Sequence, residues 1–140
     1  MNDAQKIPFA MHENLEKKLE ELVKKDILSK VAQPTDSVSD MMIVQKSNGD
    51  LRICLDPVHL NKNFKRLHNM LPKLEHIHIQ NAKVLTLIEP RNGFWQDKLD
   101  ENSRKLTTFA TPFERFCWNR LPVGIVSAPK EYQRRIQKIL

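Results

Sequence analysis

The chain has 140 residues, of which 40% are hydrophobic and 29% are charged. This composition is ordinary for one globular domain and excludes a wholly disordered protein. No apolar run approaches the ~20 residues of a membrane span and no secretory signal peptide is visible, so we expect an intracellular protein without a membrane partner. Cys54 and Cys117 are the only cysteines, too few for a disulfide framework or a zinc site.

The net charge of +6 is unevenly distributed along the chain. Residues 1–45 carry a net charge of −2, whereas residues 46–140 carry +8. Lysine and arginine side chains neutralise the phosphates of nucleic acids, so a basic excess confined to one part of the chain favours a surface that faces a polyanion. A basic face that is merely solvated is the alternative.

The first half of the chain predicts a helix followed by a β-hairpin. From Glu13 onward, apolar residues recur with helical spacing, at Leu15, Leu19, Leu22 and Val23. Two apolar runs, Met41–Val44 and Leu51–Leu55, then flank the pair Asn48-Gly49. Asn-Gly between apolar runs is a strong hairpin signal, because both central residues of such a turn must tolerate positive φ.

The second half predicts further short elements. A short helix is expected around Leu74, and the apolar run Val84–Ile88 is typical of a buried strand. The segments Lys105–Ala110 and Arg115–Trp118 are expected to pair as a second hairpin, and a terminal helix is expected to begin after Ser127. This order of helices and strands predicts an α+β fold.

Most common catalytic motifs are absent from the sequence. Three glycines cannot build a glycine-rich phosphate loop, and His76 and His78 have no third metal ligand near them in sequence. Glu89 is the one carboxylate with a suggestive position, between the expected strand and a turn. It is a candidate metal ligand, with an exposed turn carboxylate as the alternative.

Eight short stretches occur in a characteristic order between residues 7 and 135. They are Ile7-Pro8-Phe9-Ala10, Leu51-Arg52-Ile53-Cys54-Leu55-Asp56-Pro57, His59-Leu60-Asn61-Lys62, Gly93-Phe94-Trp95-Gln96, Lys105-Leu106-Thr107-Thr108-Phe109, Thr111-Pro112-Phe113, Arg120-Leu121-Pro122, and Ser127-Ala128-Pro129 with Gln133-Arg134-Arg135. In these stretches the chain resembles the N-terminal part of the reverse transcriptase in the Pol polyprotein of gypsy-type long-terminal-repeat retrotransposons.

The resemblance implies an incomplete right-hand polymerase, with a fingers subdomain at residues 1–82 and 97–127 and a partial palm at 83–96 and 128–140. Such enzymes synthesise DNA on an RNA template. They use two Mg²⁺ ions that are held by palm carboxylates. The implied partners are an RNA or DNA template-primer and a deoxynucleoside triphosphate.

The resemblance also implies roles for individual residues. Arg52, with Lys46 beside it, corresponds to the fingers cations that grip the incoming triphosphate, and Phe94 to the aromatic residue that excludes a ribose 2′-hydroxyl. Asn61 and Lys62 lie where the fingers contact nucleic acid. Glu89 occupies the position of the first catalytic, metal-binding Asp.

Several departures from the family pattern predict a degenerate copy. Glu89 replaces the Asp, and the YxDD turn that supplies two further carboxylates is expected beyond Leu140. The remaining departures are Val58, Pro90, Asp97-Lys98, Glu114 and Val123. We therefore expect a chain that is inactive by itself and binds Mg²⁺ poorly.

The missing YxDD hairpin would leave an open palm edge, and this edge could support self-association. The alternatives to an enzyme segment are a non-catalytic nucleic-acid-binding or interaction protein derived from a retroelement, and a pseudogene product. Weak, non-specific nucleic-acid binding is expected of the basic region.

Overall fold

The computed structural model describes residues 7–56, 58–63 and 80–139. The expected short helix around Leu74, together with His76 and His78, lies outside the described residues. The structure combines helices with two antiparallel sheets, which confirms the predicted α+β class. None of the described helices is long and apolar enough to cross a membrane.

The described elements follow one another in this order: a 3-10 turn at Phe9–Met11, α1 at His12–Lys24, β1 at Leu28–Lys30, β2 at Asp40–Gln45, β3 at Leu51–Asp56, α2 at Val58–Asn63, a 3-10 turn at Gly93–Gln96, α3 at Glu101–Leu106, β4 at Phe109–Ala110, β5 at Arg115–Trp118 and α4 at Ala128–Ile139. Strands β1, β5 and β4 form one sheet in that order, and β2 pairs with β3 in another.

Helix α1 confirms the predicted helix. Leu15, Leu19 and Leu22 are buried, because their spacing places them on one helical face. The helix ends before Asp26, which has a φ of 58°, and there the chain turns into β1. A non-glycine residue in the left-handed region is uncommon, and an aspartate tolerates it better than most.

The β2–β3 hairpin forms where the Asn-Gly pair predicts one, but only Gly49 of that pair has a positive φ, so the expected positive φ at both residues is wrong for Asn48. Gly49 has a φ of 83°, and Asn48 Oδ1 accepts a hydrogen bond of 3.0 Å from the Asp50 amide. Gly49 is required because an L side chain rarely adopts such a φ. In β3, Leu51, Ile53 and Leu55 are buried in alternation with the more exposed residues between them, so one face of the hairpin covers the core.

The larger sheet surrounds an aromatic centre. Trp118, at the end of β5, is fully buried and pairs in register with Leu28 of β1. Phe109 of β4 is also fully buried, and its ring centroid lies 6.0 Å from that of Trp118 and 6.1 Å from that of Phe116. Aromatic rings at these separations contribute both buried area and ring–ring attraction.

Two predictions about strands are wrong. Val84–Ile88 is not a strand in the structure, and its four aliphatic side chains are 71–92% exposed. An apolar run is stable as a strand only when a neighbour pairs with its backbone, and no described strand lies beside this one. Lys105 and Leu106 belong to α3, so the second predicted hairpin is confirmed only for β4 and β5.

Hydrogen exchange should separate these regions. We expect slow exchange for those amides of β2 and β3 that are hydrogen-bonded across the hairpin, which in an antiparallel pair are the amides of alternate residues. The amides of Val84–Ile88 should exchange at close to the unprotected rate, because the segment is in neither a helix nor a strand and its side chains are exposed.

The measurement is residue-resolved hydrogen exchange of the whole chain, with the amides of β5 as the protected reference. Strong protection at 84–88 in a monomeric sample would contradict this description.

Candidate functional site

A cleft of about 670 Å³ lies between the β2–β3 hairpin and the turn that precedes the second 3-10 helix. Its walls are formed by α1, by the hairpin and by residues 90–95. Tyr132 of α4 and Val123, which precedes α4, also line it. Residues far apart in the sequence therefore face the same space.

Three predicted site residues line this cleft: Lys46, Arg52 and Phe94. Arg52 lies on β3 opposite Val44, exposed, and forms no ion pair within the described part of the chain. Lys46 begins the hairpin turn, and its Nζ lies 3.4 Å from Asp50 Oδ2. Folding thus brings Lys46 and Arg52 of the hairpin to the same cleft as the ring of Phe94, which lies 42 residues after Arg52 in the sequence.

The charged groups of the cleft are mainly basic. Five cations and two carboxylates are among its lining residues: Lys18, Lys25, Lys46, Arg52 and Arg91, with Glu21 and Asp50. An anionic ligand suits such a surface, since the cations outnumber the carboxylates.

Ion pairs hold part of this surface in place. Lys18 Nζ lies 3.1 Å from Asp50 Oδ1 and joins α1 to the hairpin turn. The hydrogen bond from Lys18 is the main cause of a lowered pKa at Asp50, and the hydrogen bond from Lys25 lowers the pKa of Glu21. These carboxylates are therefore ionised at neutral pH and orient the lysines beside them.

Sequence reasoning missed Lys18 and Arg91 as cleft residues. Lys18 has a side chain only 15% exposed, and it lies between the buried Leu15 and Leu19 on α1. A lysine at the edge of an apolar helical face is a signal that could have identified it. No local sequence pattern identifies Arg91, because its position in the cleft depends on the conformation of the turn.

The turn that carries Phe94 is held by close contacts with α4. Asn92 has a φ of 51° and its carbonyl accepts a hydrogen bond from the Trp95 amide. The Phe94 ring meets the Tyr132 ring edge-on, at a centroid distance of 5.4 Å. Gly93 lies so close to Tyr132 that a Cβ atom there would be 2.6 Å from Tyr132 Oη.

A second link joins this turn to α4. Asp97 directly follows the 3-10 turn, and its half-buried carboxylate lies 3.4 Å from the Arg135 guanidinium. Burial raises the pKa of Asp97, and the attraction of Arg135 opposes that rise only in part. Asp97 Oδ2 is buried without a hydrogen-bond partner among the described residues.

Asn61 and Lys62 lie outside the cleft, on α2. The Asn61 side chain accepts a hydrogen bond of 3.1 Å from the Val126 amide and lies 3.5 Å from the Gly124 carbonyl. It therefore fastens α2 to the loop before α4. Lys62 is exposed.

Glu89 is also exposed and does not line the cleft, although the next residue, Pro90, does. Among the described residues, no group of three or more His, Cys, Asp or Glu side chains is placed to hold a metal ion. Glu89 is therefore not part of such a group within the described part of the chain.

Comparison with known proteins gives one family and several relatives. The family described as reverse transcriptase (RNA-dependent DNA polymerase) matches residues 15–140. The chain is 29% identical over 137 residues to the retrovirus-related Pol polyprotein from transposon 412 of Drosophila melanogaster, a match that covers 91% of the chain and 11% of that protein. It is 29% identical over 140 residues to a putative enzymatic polyprotein of cassava vein mosaic virus, covering 94% of the chain and 20% of that protein.

The fold is similar to that of foamy viral protease–reverse transcriptases. One such structure, in complex with double-stranded DNA, has a TM-score of 0.76 at 22% identity and is matched over 91% of this chain and 27% of that one. Another, in complex with an RNA/DNA hybrid, has a TM-score of 0.76 at 20% identity and is matched over 96% of this chain and 18% of that one. The chain thus spans about a quarter or less of each protein.

The contact between Gly93 and Tyr132 can be tested by Gly93→Ala. The added methyl group would lie 2.6 Å from Tyr132 Oη and 2.7 Å from Cζ, so one of the two segments must move. We expect the free energy of unfolding to fall by about 1–3 kcal/mol, as is usual for overpacking.

Denaturant unfolding of a double-mutant cycle with Tyr132→Leu measures this effect. In the Tyr132→Leu background the same Gly93→Ala change should cost much less, because the obstructing ring is gone. An equal cost in both backgrounds would show that the turn does not depend on this contact.

The raised pKa of Asp97 predicts a pH dependence of stability. The folded state holds the Asp97 proton more tightly than the unfolded state, so stability should fall as pH rises from the ordinary aspartate pKa of about 3.8 through the raised folded value, and then level off. Thermal unfolding across this pH range should show that Asp97→Asn removes this part of the pH dependence.

The matched control is Asp36→Asn, at an exposed loop position. If Asp36→Asn and Asp97→Asn change the pH profile equally, burial of Asp97 is not its cause.

Proposed function

Because this chain belongs to the reverse transcriptase (RNA-dependent DNA polymerase) family, we propose that it forms the nucleotide-binding part of a retroelement polymerase of the gypsy type. The observation that carries the proposal is the cationic cleft, which joins Arg52 and Lys46 to Phe94. The relatives are polyproteins of a retrotransposon and of plant viruses, which supports a retroelement origin.

In this proposal the cleft takes the triphosphate of a deoxynucleotide. Arg52 binds the phosphate oxygens through its planar guanidinium, which is free of competing carboxylates within the described residues. Lys46 contributes a second cation from the hairpin turn. Phe94 packs against the sugar from the opposite wall and excludes a 2′-hydroxyl by its bulk.

The same proposal divides the chain into two subdomains. Residues 1–82 and 97–127 act as the fingers, and residues 83–96 and 128–140 as part of the palm. The two meet at the cleft, where the hairpin lies opposite the turn at 90–95.

A nucleic-acid strand is the second proposed ligand. The net charge of +8 over residues 46–140 supports this ligand. The foamy viral protease–reverse transcriptases, which have a similar fold, were solved in complex with double-stranded DNA and with an RNA/DNA hybrid. Lys62 is exposed and suited to a phosphate contact. Asn61 would act mainly by fixing the loop at 124–126, since its amide group is engaged there. An intracellular site of action accords with these ligands.

Reverse transcriptases usually use divalent metal ions, with Mg²⁺ as the proposed ion here. When bound, such an ion supplies charge neutralisation for phosphoryl transfer. The carboxylates that would hold it are not assembled among the described residues, and Glu89 is one methylene longer than the expected Asp. We therefore propose that the chain is a degenerate copy that binds nucleotides but does not polymerise them alone.

Two other roles are consistent with such a copy. A non-catalytic nucleic-acid-binding protein would retain the basic surface but would no longer bind a deoxynucleoside triphosphate. Self-association would cover the exposed aliphatic side chains of Val84–Ile88, which lie on a segment that pairs with no described strand.

The substitution Arg52→Gln tests the proposed triphosphate site. It removes a positive charge and its paired hydrogen bonds, and hydrogen bonds to charged groups contribute ~1.5–3 kcal/mol. We expect the dissociation constant for a deoxynucleoside triphosphate to rise by about tenfold or more, measured by calorimetry at low salt.

The control is Arg104→Gln, which makes the same change of charge on α3, away from the cleft. Equal weakening by the two variants would mean that only net charge matters. Binding of a single-stranded oligonucleotide without binding of the triphosphate would favour the non-catalytic nucleic-acid-binding role.

A further inference from the structure

A second basic cavity, of about 380 Å³, lies beside the cleft. We call it the side pocket and define it by Lys25, Arg91, Arg120, Gln96 and Trp95, with Ile27 and Asn92 completing its wall. It shares Lys25, Arg91, Asn92 and Trp95 with the cleft, whereas Gln96 and Arg120 belong to the side pocket alone.

Three cations and no carboxylate line the side pocket. Two carboxylates outside the wall partly neutralise them: Glu21 lies 2.6 Å from Lys25 Nζ, and Asp26 lies 3.5 Å from Arg120. The Asp26 side chain is 66% exposed, so water weakens its hold on Arg120.

Both arginines have guanidinium N–H groups that form no hydrogen bond with a described residue. Within the described residues, the Arg120 guanidinium has only the 3.5 Å contact with Asp26, although its side chain is only 21% exposed. Arg91 forms no side-chain ion pair or hydrogen bond in the same part of the chain. A guanidinium carries five N–H donors, and a half-buried one with a single long contact is poorly satisfied.

The remaining wall suits an oxyanion of modest size. Gln96 Nε2 donates a 3.4 Å hydrogen bond to the Arg91 carbonyl, which leaves its second N–H for a ligand, and Asn92 presents a further amide group. Trp95 provides a flat apolar surface whose ring lies 6.5 Å from the buried Trp118 ring. Planar arginine forks match the geometry of phosphate oxygens, and amide N–H groups add neutral donors.

We propose that the side pocket is a second phosphate-binding subsite, separate from the proposed triphosphate site and centred on Arg120 and Arg91. Its ligand is a phosphate group, from either a free diphosphate or the backbone of a nucleic-acid strand. Arg91 faces both cavities, so a ligand there would lie next to whatever fills the cleft. The inference extends beyond the proposed function, because neither Arg120 nor Gln96 lines the cleft.

The indole N–H signals of Trp95 and Trp118 report binding in the whole 140-residue chain. Inorganic pyrophosphate and a short single-stranded oligodeoxythymidine are the two probes, added separately at low salt. We expect saturable shifts of the Trp95 signal, with the fully buried Trp118 signal as the internal reference. If pyrophosphate shifts the Trp95 signal, a free diphosphate is sufficient to occupy the side pocket. If only the oligonucleotide shifts it, the ligand is a backbone phosphate of a nucleic-acid strand.

Two variants confine the effect to the side pocket. Arg120→Gln should weaken binding about tenfold, the loss that corresponds to one charged hydrogen bond. Gln96→Glu places a negative charge in the same wall at an exposed position, so it keeps the test valid even if Arg120→Gln fails to fold. Arg104→Gln, on α3, is the matched control and should leave binding within about twofold.

The failure of this inference can be told apart from failure of the triphosphate site. Arg52→Gln should weaken triphosphate binding in the cleft about tenfold or more and leave the Trp95 response to the side-pocket ligand unchanged. Absence of a Trp95 shift with both probes would overturn the proposal. Equal binding by wild type, Arg120→Gln and Gln96→Glu would overturn it as well.

Discussion

The burial of Trp118 is the interaction on which the other parts of the structure depend. This residue ends β5, pairs with Leu28 of β1 and packs beside Phe109 of β4. Its amide donates a 2.9 Å hydrogen bond to Thr107 Oγ1, which joins the strand to the end of α3. The Trp95 ring lies against it, so the turn that carries Phe94 is anchored to the same centre.

The cleft has a buried apolar floor and a charged rim. The floor rests on buried apolar residues of α1 and β3, such as Leu22 and Ile53, whose removal would leave a cavity. The rim carries lysines whose contacts with Glu21 and Asp50 are at least partly exposed and therefore weak. It also carries Arg52 and Arg91, which form no ion pair among the described residues. A rim of this kind can exchange its internal ion pairs for the phosphate oxygens of a ligand.

The turn at 90–97 ends on a partly buried charge. Asp97 forms an ion pair with Arg135 of α4, and Arg135 also pairs with Glu131 of the same helix. The network does not satisfy Asp97 fully, since Oδ2 has no partner among the described residues. A half-satisfied carboxylate at this position stabilises less than an apolar side chain of similar size would.

Local patterns in the sequence were sufficient for α1, for the β2–β3 hairpin and for α4, because helical spacing and an Asn-Gly turn act between residues that are close along the chain. The family motifs also indicated Arg52, Lys46 and Phe94 as one group. Val84–Ile88 has the composition of a strand, but no described strand pairs with it. The composition of a segment does not determine whether another strand lies beside it. Only the tertiary structure decided that Lys18 and Arg91 line the cleft and that Arg91 and Arg120 line the side pocket, because the positions of these side chains depend on how α1, the turn and the residues after β5 pack together.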